Sequence, residues 1–143
     1  MILVDANILL YASNTEADQH AKCRAWLDDK LGGAAPVGLP WPTLLAFLRI
    51  ATNPRAFRRP LSMESAWNQV SSWLAVETVW TPQPTARHSS VLGELLARPG
   101  VYANLVPDAH LAALAIEHGL TLCSTDGDFA RFSDLTWFNP LLA

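Results

Sequence analysis

The apolar residues of this chain come in short runs separated by helix-length segments. Ile2-Leu3-Val4, Val37 to Leu39, Val76 to Trp80, Thr121 to Ser124 and Leu135 to Phe138 are each five residues or fewer, and all but Thr121 to Ser124, where Leu122 and Cys123 are the apolar pair, are mostly apolar. A strand without polar alternation needs cover on both faces, and that is the condition of a strand inside a parallel sheet. The intervening segments carry helix signals. Thr15 to Leu31 places Ala21, Cys23, Trp26, Leu27 and Leu31 on or near one face and stops at Gly32-Gly33. Trp41 to Ala51 is apolar almost all round and ends before Pro54. Ser62 offers an N-cap for a helix through Leu74, Thr85 one for a helix to Ala97, and a further helix opens at Pro107-Asp108 and closes at His118-Gly119. Asp126-Gly127-Asp128 then turns the chain into Phe129 to Phe132. Strands alternating with helices from end to end predict an α/β fold with a mainly parallel sheet and helices on both faces.

A chain of 143 residues fits one domain spanning 1–143. Half of it is apolar and 16% is charged, which excludes a disordered polymer, and no apolar run is long enough to cross a bilayer. The first residues are apolar but hold Asp5 and Asn7 and lack a basic leader, so no export signal is expected. Cys23 and Cys123 lie far apart, without metal-type spacing, as in proteins of a reducing, cytoplasmic compartment. The net charge of −3 is unevenly spread. No Asp or Glu occurs from Lys30 to Met63, where Lys30, Arg49, Arg55, Arg58 and Arg59 give +5 and leave −8 on the remainder. A basic stretch beside an acidic pocket suits a phosphate backbone held next to a cation.

Ligands of open parallel sheets bind outside the carboxyl ends of the strands. Asp5 ends the first strand, and Asp126 and Asp128 follow the strand Thr121 to Ser124, so these acids share one edge. Asp108 opens the preceding helix and faces either that edge or the opposite one. Converging carboxylates do not all stay ionised without a cation, and oxygen-only ligands favour Mg²⁺ or Mn²⁺. Asn7, Ser124 and Thr125 are small polar groups suited to orienting the acids. Structural readings stand beside these: a strand-ending turn at Asp5, an N-cap at Asp108, a turn at Asp126-Gly127, and structural or surface roles for His20, His88, His110 and His118.

Three stretches, VDANILLYA, PDAHLAALAIEHG and STDGDFARF, with GLPWPTLLAFLRIATNPRAF between the first two, resemble the PIN-domain ribonucleases, most closely the VapC toxins of bacterial toxin–antitoxin pairs. The resemblance spans nearly the whole chain. It implies a three-layer α/β/α sandwich, Mg²⁺- or Mn²⁺-dependent endoribonuclease activity, a homodimer, and inhibition by a cognate VapB-type antitoxin. Asp5, Asp108 and Asp126 match the metal-binding acids, and Asp128 matches an acid counted only in some members. Many PIN domains carry a glutamate in the helix after the second strand; here Ala46 or Phe47 stands in its place. The departure leaves a catalytically weak binding module of the same fold as the alternative. In the nuclease reading, Arg49, Arg55, Arg58 and Arg59 hold the RNA backbone, and exposed members of Trp41, Trp67, Trp73 and Trp80 stack on bases or receive the antitoxin. A receiver-type phosphoacceptor domain wants a lysine on its last strand, and no lysine follows Lys30.

Overall fold

Five parallel strands in the order β3-β2-β1-β4-β5 form the centre of the molecule. The computed structural model describes residues 1–142. In chain order the elements are β1 (Ile2–Val4), α1 (Ala6–Ser13), α2 (His20–Leu31), β2 (Val37–Gly38), α3 (Trp41–Ala51), α4 (Met63–Leu74), β3 (Val79–Trp80), α5 (His88–Leu96), α6 (Leu105–His118), β4 (Thr121–Cys123) and β5 (Trp137–Phe138), with a 3-10 turn at Gly127–Arg131 before β5.

Side chains alternate across the central strands, and this builds two cores. Val4 and Cys123 point to one face, where they meet Ile8 of α1, Leu27 of α2, Phe47 of α3 and Val70 of α4. Leu3 and Leu122 point to the other, against Leu95 of α5 and Ala109, Ala112 and Leu114 of α6. The result is the expected three-layer α/β/α sandwich, with both sheet faces dry as the unbroken apolar strands require. Among the described residues no helix is long and apolar enough to cross a membrane.

The strand order reverses at β1. β2 and β3 are added on one side of it and β4 on the other, with Leu3 paired to Gly38 and to Leu122. Such a reversal opens a crevice at the carboxyl ends of the two strands that flank it. Asp5 emerges there from β1, its N–H donating to the Cys123 carbonyl at 3.0 Å, and the chain after β4 leads to Asp126.

Several boundaries differ from the sequence reading. The expected helix from Thr15 to Leu31 starts only at His20, and a separate helix, α1, precedes it. α1 was missed because its residues are apolar on nearly every side and show no period. The Asn14 side chain accepts from Glu16 N at 3.2 Å, and that turn divides the two helices. Ser62 caps α4 as expected, its hydroxyl accepting from Ser65 N at 3.1 Å. Thr85 does not cap α5. Its hydroxyl donates to the buried Glu117 carboxylate at 2.6 Å, and the helix begins at His88. α6 starts three residues ahead of Asp108, because Pro107 sits within the first turn, where a missing N–H costs nothing. Gly119 closes it at φ +66°, a left-handed conformation open to glycine without strain.

Candidate metal centre

Asp5 is built into its place by three local features. It ends a buried strand, it caps α1 through Oδ1, which accepts from Ala6 N at 2.7 Å, and its Oδ2 accepts from the Ser124 hydroxyl at 2.8 Å. Asn7, on the first turn of α1, ties β1 to β4. Its Nδ2 donates to Ser124 Oγ at 2.9 Å and to Asp5 Oδ2 at 3.3 Å, while its Oδ1 accepts from Thr125 N at 3.1 Å. Ser124, fully buried, also accepts from Asp126 N at 3.1 Å. Asn7 and Ser124 therefore orient Asp5 with their side chains, whereas Thr125 takes part through its backbone. Burial pushes the Asp5 carboxyl up; the Ser124 and Ala6 hydrogen bonds oppose this, and the negative charge of Asp126 adds to it.

The orientation of Asp108, left open by the sequence, is towards the same edge. Oxygens of Asp108, Asp126 and Asp128 all lie within 4.8 Å of one another. Asp5 stands outside that trio but lines a cavity with Asp108, and its charge acts on it. Asp108 is not an N-cap. It is the fourth residue of α6, and among the described residues no donor hydrogen-bonds its carboxylate. Desolvation pushes Asp108 up to about 6, and Asp126, Asp5 and Asp128 add to the rise while Arg131 opposes it. Asp126 accepts from Asp128 N at 2.9 Å, so the 3-10 turn fixes two acids at once. Asp108 and Asp126 are half-buried and Asp128 is exposed, and these mutually repelling acids, with no cationic partner in contact among the described residues, could hold a divalent cation. All donors are hard oxygens.

The other sequence candidates divide. Arg49 lines the cavity with Asp5, Asn7 and Asp108. Arg59 pairs with Glu16 at 3.3 Å, and Arg55 and Arg58 are exposed on the loop between α3 and α4, outside the cavities that the acids line. Of the two positions considered for the absent glutamate, Ala46 lines the cavity and Phe47 is fully buried in the core. Trp41 and Trp67 are exposed and Trp73 is buried. The histidines serve structure: His20 meets the Tyr11 carbonyl, His118 meets the Gln83 carbonyl, and His88 joins Glu117 to His110 between α5 and α6. Sequence reasoning missed Thr43, whose hydroxyl donates to Val4 O at 3.1 Å under the cavity, and also Tyr102, Asn104 and Arg131 around the acids. Arg131 lies inside the quoted stretch STDGDFARF, yet nothing in its local pattern marks it.

The profile of the PIN domain matches residues 2–135. The chain belongs to the PIN-domain family. Ribonuclease VapC37 of Mycobacterium tuberculosis is 49% identical to this PIN domain over 98% of the chain and 97% of its own length. Ribonuclease VapC33 of the same species is 40% identical, with 99% of each chain covered. Among solved structures, VapBC2 from Rickettsia felis bound to a DNA fragment from its promoter superposes with a TM-score of 0.69 at 20% identity, covering 97% of this chain and 98% of that one. The sarcin-ricin loop cleaving toxin VapC20 of M. tuberculosis gives a TM-score of 0.69 at 18% identity, covering 92% and 95%. At those identities the structures speak for the PIN fold alone.

Proposed function

We propose that residues 1–143 act as one PIN domain, a cytoplasmic Mg²⁺- or Mn²⁺-dependent endoribonuclease, and serve as the toxin of a VapBC-type pair with a VapB-type antitoxin and a second copy of the chain as partners. The observation that carries this reading is the convergence of Asp108, Asp126 and Asp128 within 4.8 Å beside Asp5, at the strand-order reversal of a fold shared with proteins named as VapC ribonucleases. Asp5, Asp108 and Asp126 would hold the cation, with Asp128 at the rim. When bound, the cation supplies an activated water and neutralises charge building on the phosphate. Ser124 and Asn7 keep Asp5 in one rotamer, so the site is organised before substrate arrives. Asp108, pushed up to about 6, is partly protonated near neutrality and sheds its proton on ligation. Arg49 holds the backbone next to the cleaved phosphate, while Arg55 and Arg58 meet RNA farther along and Arg59 does so at the expense of its exposed pair with Glu16. The lack of a glutamate at Ala46 or Phe47, of which Ala46 lines the cavity, favours a second reading: a catalytically weak module that acts by binding RNA or antitoxin and operator.

The two readings part in one experiment. Purified protein is incubated with total RNA and Mg²⁺ or Mn²⁺, beside an Asp5→Asn control and an EDTA control, and 5′ ends are mapped. We expect new ends with wild-type protein alone, and a loss of at least about a hundredfold in rate for Asp5→Asn. Identical RNA patterns in all tubes would favour the binding module.

A further inference from the structure

Two grooves meet at the acids. The first, about 360 Å³, runs from Asp5 and Asn7 past Ala46 and Arg49 to Asp108. The second, about 490 Å³, runs from Asp108, Asp126 and Asp128 to Arg131 and Tyr102. Asn104 and Asp108 border both. Each groove thus has one guanidinium, and the acids lie between the two.

Tyr102 is 73% exposed, an aromatic ring left in water beside three carboxylates. The loop that carries it is set by two left-handed residues, Gly100 at φ +81° and Ala103 at φ +51°. The alanine there is strained, and such strain persists where the surrounding structure demands one loop shape. Arg131 faces this loop, with Nη1 3.5 Å from where a side chain on Gly100 would begin. Its Nε donates to the Asp128 carbonyl at 3.3 Å, and it forms no ion pair with any carboxylate among the described residues. A guanidinium held by its own turn, with its outer nitrogens open and an exposed ring across the groove, matches a phosphate and an unpaired base.

Resting on the nuclease reading, we propose that the second groove is the nucleotide subsite on the far side of the cleaved bond from Arg49: the base stacks on Tyr102 and its phosphate is held by Arg131. A base inside a duplex has both faces stacked already, so this subsite selects single-stranded RNA. Tyr102 and Arg131 bind and position substrate, and they take no part in holding the cation.

The test uses the full chain carrying Asp5→Asn to silence cleavage, with fluorescence anisotropy of a labelled single-stranded RNA of mixed sequence in Mn²⁺. We expect Tyr102→Ala to weaken binding about tenfold and Tyr102→Phe to change it less than about twofold, because stacking needs the ring and not the hydroxyl. Arg131→Ala should weaken binding severalfold and reduce the salt dependence by about one phosphate contact. In the otherwise wild-type chain, Tyr102→Ala should raise KM for cleavage with kcat nearly kept, and the melting temperature should not move. RNA affinity unchanged in Tyr102→Ala overturns the proposal, and equal losses in Tyr102→Ala and Tyr102→Phe overturn stacking. Failure of the nuclease reading looks different: the otherwise wild-type chain then cleaves no RNA, whatever Tyr102 does to binding.

Discussion

Asp108 shows what folding does to a single carboxyl. Its ordinary value of 3.8 rises to about 6 because the site is partly dry and three other acids surround it. Between those two values the folded state binds more protons than the unfolded one, so metal-free stability falls as pH rises through that window and the cost is complete above about pH 6. A shift of that size would be worth about 3 kcal/mol in a dry site, and solvent screening of a half-buried group brings it to about 1 kcal/mol. We therefore expect Asp108→Asn to stabilise the protein in EDTA at pH 7 by about 1 kcal/mol in urea unfolding, with the gain vanishing below pH 4. Adding Mn²⁺ should reverse the order, since the wild type alone keeps the full ligand set. The sequence placed Asp5 and Asp126 at one edge correctly. The edge that Asp108 faces was left open by the sequence and is answered by the structure: only Gly119 and Leu120 separate α6 from β4, so helix and strand run antiparallel and the helix start lies at the carboxyl edge. Tyr102 and Arg131 had no comparable signal, because neither a loop tyrosine nor a single arginine declares its neighbours.

At the scale of elements, α3 shows how one helix serves core and site with adjacent residues. Phe47 is fully buried and packs edge-to-face on Trp73 of α4, with ring centroids 4.8 Å apart. Ala46 faces the cavity with Asp5 and Arg49. Phe47→Ala should cost about 3–5 kcal/mol in urea unfolding. Ala46→Glu should fold normally and bind Mn²⁺ on the order of tenfold more tightly by calorimetry, because it adds a carboxylate to the same wall. A glutamate at 46 that leaves affinity unchanged would show that this wall does not reach the cation. Helix identity was legible for α2 to α6 from apolar segments of helix length punctuated by glycine or proline, with the Ser62 cap of α4 and the Gly119 end of α6 where the sequence put them. α1 was not legible. A segment as uniformly apolar as Ile8 to Ala12 shows no polar face in the sequence, and only the capping by Asp5 marks its start.

The whole molecule brings to one edge acids that lie more than a hundred residues apart in the chain, and no part of the unfolded chain does this. Cation binding should therefore stabilise the native state by mass action. At a hundred times its dissociation constant, Mn²⁺ should add about 2.7 kcal/mol, a rise of roughly 8 °C in melting temperature. Asp126→Asn should remove most of that rise in a thermal melt at fixed protein concentration. What the sequence determined by itself was the alternation of short dry strands with helices, and hence a parallel sheet with its chemistry at the carboxyl ends. That information is local, written in runs, caps and turn residues. The tertiary structure alone decided that β4 lies next to β1, that Ala46 and not Phe47 faces the acids, and that Tyr102 and Arg131 share a groove with them. Those facts depend on strand order and helix rotation, which are set by packing among residues distant in the chain.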